Sequence, residues 1–223
     1  MLDSTIRPSD RNDLGRLLAV CPRLTLHAGD VRSADAFSDA TLLFVEAGII
    51  VIGSAARPKR RIVVSFCSPG TLLPSPHSDE QLAALVDSAV ISIGPLVLRG
   101  LLQLPSAAAE IVDALLEALR ERQESLAQFA SVGHAERLRG KLLQLARTHG
   151  TVVRGGVRVE LPLTHELLGQ AVGSARETVT SALRTLEREG FLAREGRRYR
   201  LMISPEILDS DTHSPSTRAE GKM

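Results

Sequence analysis

The chain has only two cysteines, Cys21 and Cys67, in 223 residues. Two thiols are too few for an iron–sulfur cluster ligated by cysteine or for a cysteine-rich zinc site, and they read as buried or incidental. Long apolar runs are missing as well. No stretch approaches the roughly 18 uninterrupted apolar residues of a membrane-spanning helix. The N-terminal MLDSTIRPSDRND holds no basic region followed by an apolar one. No secretory signal and no membrane partner are expected, and the expected location is the cytoplasm. Catalytic signatures are equally scarce. The chain contains no nucleophile motif, paired-histidine spacing, phosphate-binding glycine loop or dinucleotide fingerprint, so nothing in it argues for an enzyme.

What is present is an ordinary globular composition, 43% hydrophobic and 24% charged, long enough for one or two domains with a sizeable core. The net charge of +1 conceals an asymmetry. Residues 133–204 hold thirteen lysines and arginines against seven aspartates and glutamates, a net of +6, and the rest of the chain carries −5. A basic module on a near-neutral chain suits a localised contact with phosphates, and a solvated surface could carry the same excess.

The texture changes along the chain. A short helix is expected around Asp10 to Ala19, with Leu14, Leu17 and Leu18 as its apolar stripe. From Arg23 to Ile93 short strands follow, LTLHAG, TLLFVEAGIIVIG, RIVVSFCSPGTLL and SAVISIG, separated by Gly, Pro, Asp and Ser, which predict a small β-barrel or sandwich. The basic connection Ala56 to Arg61, ARPKRR, reads as an exposed hairpin, either simply solvated or facing an anionic ligand or partner surface. After Pro105, residues 106–132 read as one helix of 27 residues, with Ile111, Leu115, Leu119, Leu126 and Phe129 near heptad spacing and Arg122 in the slot of a missing leucine. So long a helix outruns both flanking domains, and the stripe is expected to meet a second copy of itself. Beyond Gly133, a helix with Leu138, Leu142 and Leu145 turned inward opens the C-terminal domain.

The most informative stretch runs from Leu163 to Gly190, LTHELLGQAVGSARETVTSALRTLEREG. Thr164 is placed to cap a helix whose apolar residues are Leu167, Leu168, Ala171 and Val172. Gly173 supplies the turn, because glycine takes positive φ without steric cost. Ser174 followed three residues later by Glu177 reads as a capping box for a second helix. On that helix Val179, Ala182, Leu183 and Leu186 share one face, while Glu177, Ser181, Arg184 and Arg188 lie roughly opposite. One face packs and the other is free to read. An ordinary helix pair with a solvated charged face is the alternative. TVVRGGVRVELP before this unit and FLAREGRRYRLMI after it read as β-hairpins, the second bearing Arg194, Arg197, Arg198 and Arg200. Together they make a winged helix.

This order of parts resembles the cyclic-AMP receptor protein and fumarate–nitrate regulator (CRP/FNR) family of bacterial transcription factors. The resemblance is carried by the G-Q-x-V-G-x-x-R-E-T-V core intact at residues 169–179, and further by Gly48 after VEA, SPG at residues 68–70 and SAVISI at residues 88–93. It implies an α+β architecture: a β-roll of the cupin-like, cyclic-nucleotide-binding-domain kind over residues 1–105, a dimerisation helix over 106–132 and a winged helix-turn-helix DNA-binding domain over 133–204. Residues 205–223 form a tail expected to be disordered.

The resemblance implies a homodimer on near-palindromic double-stranded DNA, a transcription regulator that would need a surface for RNA polymerase if it activates. Arg176 matches the family arginine that reads guanine, and Glu177 the glutamate that accepts from cytosine N4. Ser181 stands where the cyclic-AMP receptor protein has another base-contacting arginine, and Arg184 is long enough to substitute in part. Thr164, His165, Ser174, Arg194, Arg197 and Arg198 are expected to hold phosphates.

The sensory end departs from the family. Nucleotide-binding members carry a Gly-Glu stretch followed by Arg-Ser/Thr-Ala. After Gly70 this chain reads TLLPSPHSDEQLAALVDSAVISI, with no arginine between Arg61 and Arg99. Cyclic AMP in the usual mode is not expected. The four cysteines of the oxygen-sensing branch are missing. His77, alone in its loop, is a weak basis for haem, so the effector stays open. A ligand-binding or protein-interaction module, with the winged helix contacting protein instead of DNA, is the alternative function.

Overall fold

The computed structural model describes residues 18–54, 62–131, 133–196 and 198–210, and the chain divides into two compact units, Met1–Val132 and Gly133–Met223. The connection Ala56 to Arg61, Arg197, and all but the end of the helix expected around Asp10 to Ala19 lie outside the described residues.

Strands of the first unit are β1 (Arg23–Leu26), β2 (Val31–Ser33), β3 (Leu42–Ala47), β4 (Ile50–Ser54), β5 (Val63–Cys67), β6 (Leu72–Pro74), β7 (Glu80–Ala84) and β8 (Ser88–Ile93). They form two antiparallel sheets of four strands, ordered β1-β8-β3-β6 and β2-β7-β4-β5. The apolar run TLLFVEAGIIVIG is therefore two strands in two sheets: the chain crosses between them at Gly48 and Ile49. RIVVSFCSPGTLL divides in the same way between β5 and β6.

Alternation sorts the side chains. Leu26, Leu43, Val45, Leu73 and Val90 of one sheet meet Ile50, Ile52, Cys67, Leu82 and Ala84 of the other, with Phe37 closing the end. The opposite face of the first sheet is also covered. Leu42, Ile91 and Ile93 lie beneath Leu101 of α1 (Pro95–Leu102) and Ala107 and Ile111 of α2 (Pro105–Ser131). Burial on both faces explains why β3 and β8 are apolar at consecutive positions.

Strands β2 and β7 escape a reading by propensity. The β7 sequence EQLAA has no β-branched residue, yet it pairs with both β2 and β4 because Leu82 and Ala84 complete the core between the sheets.

The long helix corrects one expectation. Ile111 is 7% exposed and Leu115 packs against the same cluster, so both face their own sheet instead of a partner. The outward apolar residues of the described part are Val112, Leu116 and Leu119, at 52%, 44% and 52% exposure. Side chains of Leu126 and Phe129 lie outside the described residues.

The second unit contains α3 (His134–His149), β9 (Gly150–Val153), β10 (Gly156–Val159), α4 (His165–Val172), α5 (Arg176–Arg188), β11 (Leu192–Glu195), β12 (Arg198–Leu201) and α6 (Glu206–Ser210). Both hairpins join one sheet, ordered β11-β12-β10-β9. Leu138, Leu142 and Leu145 of α3, Leu168 of α4, Val179, Leu183 and Leu186 of α5, and Tyr199 and Leu201 of β12 are all buried. The segment after residue 205 is not wholly a tail. Helix α6 occupies its start, and the Leu208 carbonyl accepts a hydrogen bond from Arg147 Nε at 3.1 Å.

Truncating Ile111 to alanine removes methylenes from a closed core. Ile111→Ala is expected to lower the unfolding free energy by about 2–4 kcal/mol, read as a lower urea midpoint with an unchanged m-value.

Candidate nucleic-acid interface

Helix α4 begins where the sequence places it. Thr164 has extended backbone, and its Oγ1 accepts from the Leu167 N–H at 3.1 Å. The helix ends at Gly173 in the left-handed region, φ 63° and ψ 35°, a conformation open to glycine at no steric cost. Reversal of the chain there also brings Ser174 against Gly169, whose carbonyl accepts from the Ser174 N–H at 2.9 Å. A Cβ on Gly169 would sit 2.7 Å from the Ser174 carbonyl oxygen, so both glycines serve one tight turn.

The capping box does not form. Helix α5 starts at Arg176, its N-cap is Ala175, and no side chain caps it. Ala175, with extended backbone at φ −68° and ψ 152°, takes the N-cap position in place of Ser174. Ser174 Oγ instead lies 2.6 Å from His134 Nδ1, and the Arg137 guanidinium stands 2.7 Å from that same nitrogen. Arg137 Nε also donates to the Val172 carbonyl at 3.2 Å, which ties α3 to the turn. Ser174 is thus engaged within the protein.

On α5 the buried residues are Val179, Ala182, Leu183 and Leu186. Arg176, Glu177, Ser181 and Arg184 are exposed, and among the described residues their side chains make no hydrogen bond or ion pair. That freedom is unusual in this unit. Arg139 pairs with Glu189 at 2.5 Å and lies 4.4 Å from the centroid of the Phe191 ring. Arg158 and Arg198 share Glu160 at 2.7 and 3.2 Å. Arg200 pairs with Glu195 at 2.8 Å. Arg188 folds back on its own helix, donating to Thr185 Oγ1 at 3.1 Å.

The wing is therefore less available than its arginine content suggests. Arg198 is held by Glu160 across the β10–β12 edge, a pairing that depends on strand register and is invisible in sequence. Arg194 is exposed, and its Nε donates only to the nearby Gly196 carbonyl at 3.1 Å. Arg197 lies outside the described residues.

His165 sits between the two helices. Its Nδ1 is 2.8 Å from Thr180 Oγ1, and that hydroxyl donates to the Arg176 carbonyl at 2.8 Å. Burial first, then the Arg194 and Arg176 guanidiniums, hold His165 below the ordinary histidine range. Thr180 escaped the sequence reading because it lies between the packed and the exposed faces of α5, where periodicity assigns no role.

The arrangement places an unpaired row of arginine, glutamate and serine on one exposed helix face, positioned by a glycine turn and flanked by a basic hairpin. Arginine, glutamate and serine are side-chain types able to donate to or accept from major-groove base edges.

Residues 136–208 match the Crp-like helix-turn-helix domain. Over 186 residues, 80% of this chain and 79% of the relative, the sequence is 26% identical to the CRP-like cAMP-activated global transcriptional regulator of Mycobacterium tuberculosis. A CooA variant from Carboxydothermus hydrogenoformans shares the fold with a TM-score of 0.75 at 18% identity, covering 87% of this chain and 88% of that one. The c-di-GMP responsive global regulator CLP of Xanthomonas campestris does so with a TM-score of 0.69 at 19% identity, covering 87% of this chain and all of its own.

Removal of the Thr164 hydroxyl tests the local architecture. Thr164→Ala is expected to cost about 1 kcal/mol, read as a lower melting temperature of the DNA-binding unit with its helical circular dichroism retained.

Proposed function

We propose that this chain, a member of the CRP/FNR family of transcription regulators, acts as a homodimer that reads a near-palindromic DNA site through α5. One observation carries this reading. Arg176, Glu177, Ser181 and Arg184 stay exposed and without partners on α5, while neighbouring arginines of the same unit are held in ion pairs. Arg176 donates to guanine O6 and N7, and Glu177 accepts from a cytosine N4 amino group. Ser181 is too short to replace a base-reading arginine, so Arg184 takes part of that role from the next turn. Thr164, His165 and Arg194 hold phosphates and set the register without reading sequence.

The second copy meets α2. Val112, Leu116 and Leu119 are spaced by four and three, the interval of a coiled-coil seam, and all are exposed. Ile111 and Leu115 take no part, being committed to their own sheet. Pairing of two chains supplies two copies of α5, one for each half of a near-palindromic site.

Control is by something other than cyclic AMP in the usual mode. The connection from β6 to β7, residues 75–79, reads SPHSD and offers no arginine, and its His77 is exposed beside Asp79. Among the described residues of the β-roll, Ser88 is the single buried polar side chain, and no arginine or lysine among them is buried.

Selection of bound duplexes from random DNA, with purified protein and no added nucleotide, tests the reading. Arg176→Ala is expected to cost about 1–3 kcal/mol and to relax the preference at one base pair of each half-site. An unchanged sequence preference would remove the assignment. A protein that shifts no duplex at low salt would favour a winged helix that contacts protein. Independently, Leu119→Glu is expected to convert a dimer into a monomer in sedimentation equilibrium, and a wild-type monomer at micromolar concentration would refute the seam.

A further inference from the structure

Beside the base-reading row lies a cleft of about 660 Å³, bordered by Thr164, His165, Glu166, Arg176 and Arg194. It joins three elements: the start of α4, the first residue of α5 and strand β11 of the wing. Its cations are incompletely matched, since among the described residues on its border Glu166 is the one carboxylate. Thr164 Oγ1 accepts from a backbone N–H and keeps its own proton to donate. Two guanidiniums, a hydroxyl and an imidazole around one concavity suit a single tetrahedral oxyanion.

We propose that this cleft seats one phosphate of bound DNA and that His165 takes up a proton there as the DNA docks, so that affinity rises as the solution is acidified. The proposal rests on the DNA-binding reading above and adds to it the protonation chemistry of one contact.

The hydrogen bonds around His165 identify the atom. Thr180 has one hydroxyl proton and commits it to the Arg176 carbonyl. The proton of the 2.8 Å contact between His165 and Thr180 therefore sits on Nδ1, and Nε2 is where a proton is gained or lost. A neutral Nε2 is an acceptor and repels a phosphate oxygen. A protonated one donates to it, and the same ring then links the phosphate through Thr180 to the backbone of the guanine-reading Arg176.

The surrounding charges set the direction. Burial opposes the proton first. Arg194 of β11 and Arg176 and Arg184 of α5 oppose it as well, Glu187 of α5 favours it, and Glu166 adjoins it on α4. None of the charges acting on it comes from α3, which also packs on α4. In free protein these influences together favour the neutral imidazole. A phosphate set among these arginines cancels the opposing field and favours the imidazolium. The bound state then holds more protons than the free state. Binding is tightest below the free-state titration, weakens as pH rises through the window between the free and bound titrations, and levels off above it.

The test is fluorescence anisotropy of a labelled duplex recovered by selection with this protein, at constant ionic strength between about pH 5.5 and 8.5. For wild type the Kd should rise with pH, by at most about tenfold per unit for one proton. His165→Asn keeps an amide N–H where Nδ1 stands and should flatten the profile at the wild-type high-pH value, while His134→Asn should keep the wild-type slope. A readout that needs no variant is the imidazole Cε1–H resonance of His165 in intact protein, whose titration midpoint should move upward when the duplex is added. A slope retained in His165→Asn, a slope lost in His134→Asn, or an unmoved midpoint would overturn the proposal and leave DNA binding standing. Absence of a salt-sensitive anisotropy change at every pH would overturn both.

Discussion

The reversal of the chain at Gly173 is the constraint on which the DNA-binding unit depends. A left-handed residue at that point ends α4, draws the Ser174 backbone onto Gly169 and starts α5 two residues later. This crossing buries Leu168 and Val172 of one helix with Val179 and Leu183 of the next. Because 3.6 residues make a turn, burying that stripe leaves Arg176, Glu177, Ser181 and Arg184 outside. The exposed face of α5 is thus the complement of the packed face, and the glycine turn determines which is which.

A parallel constraint governs the first unit. The outer face of the sheet containing β3 and β8 needs cover, and α2 supplies it with Ala107 and Ile111. Seating Ile111 there fixes the rotation of α2 about its axis. Val112, Leu116 and Leu119 are then outward by geometry, at a spacing suited to a second copy. Burial within the unit thereby selects which apolar residues of α2 stay exposed.

Electrostatics divide the arginines of the second unit into two groups. Those at strand edges and helix ends are held by Glu160, Glu189 and Glu195 and stabilise the wing and its packing. Those at the start of α5 and on β11 border a shared cleft and, after burial, help hold His165 below the ordinary histidine range. Anchoring one group and leaving the other free concentrates positive potential where phosphates would lie, without a large net charge on the whole chain.

Local signals made much of this legible in the sequence. The Thr164 cap, the glycine turn, the apolar stripe of α5, the two hairpins and the span of the long helix all depend on residues within a few positions of one another. Other features needed the fold. Strands β2 and β7 exist because paired neighbours and a shared core accept them, and EQLAA carries little strand propensity of its own. Ser174 reads locally as a cap, but the turn delivers it to His134 across 40 positions. Arg198 reads as a free wing cation until strand register sets it beside Glu160. Heptad spacing by itself cannot distinguish the Ile111–Leu115 face from the Val112–Leu116 face. The sequence by itself determined that there is a helix-turn-helix, a β-rich unit and a long helix between them, because short-range periodicity and turn chemistry decide those. Tertiary structure alone decided which faces are spent and which are left, because burial and ion pairing join residues far apart in the chain.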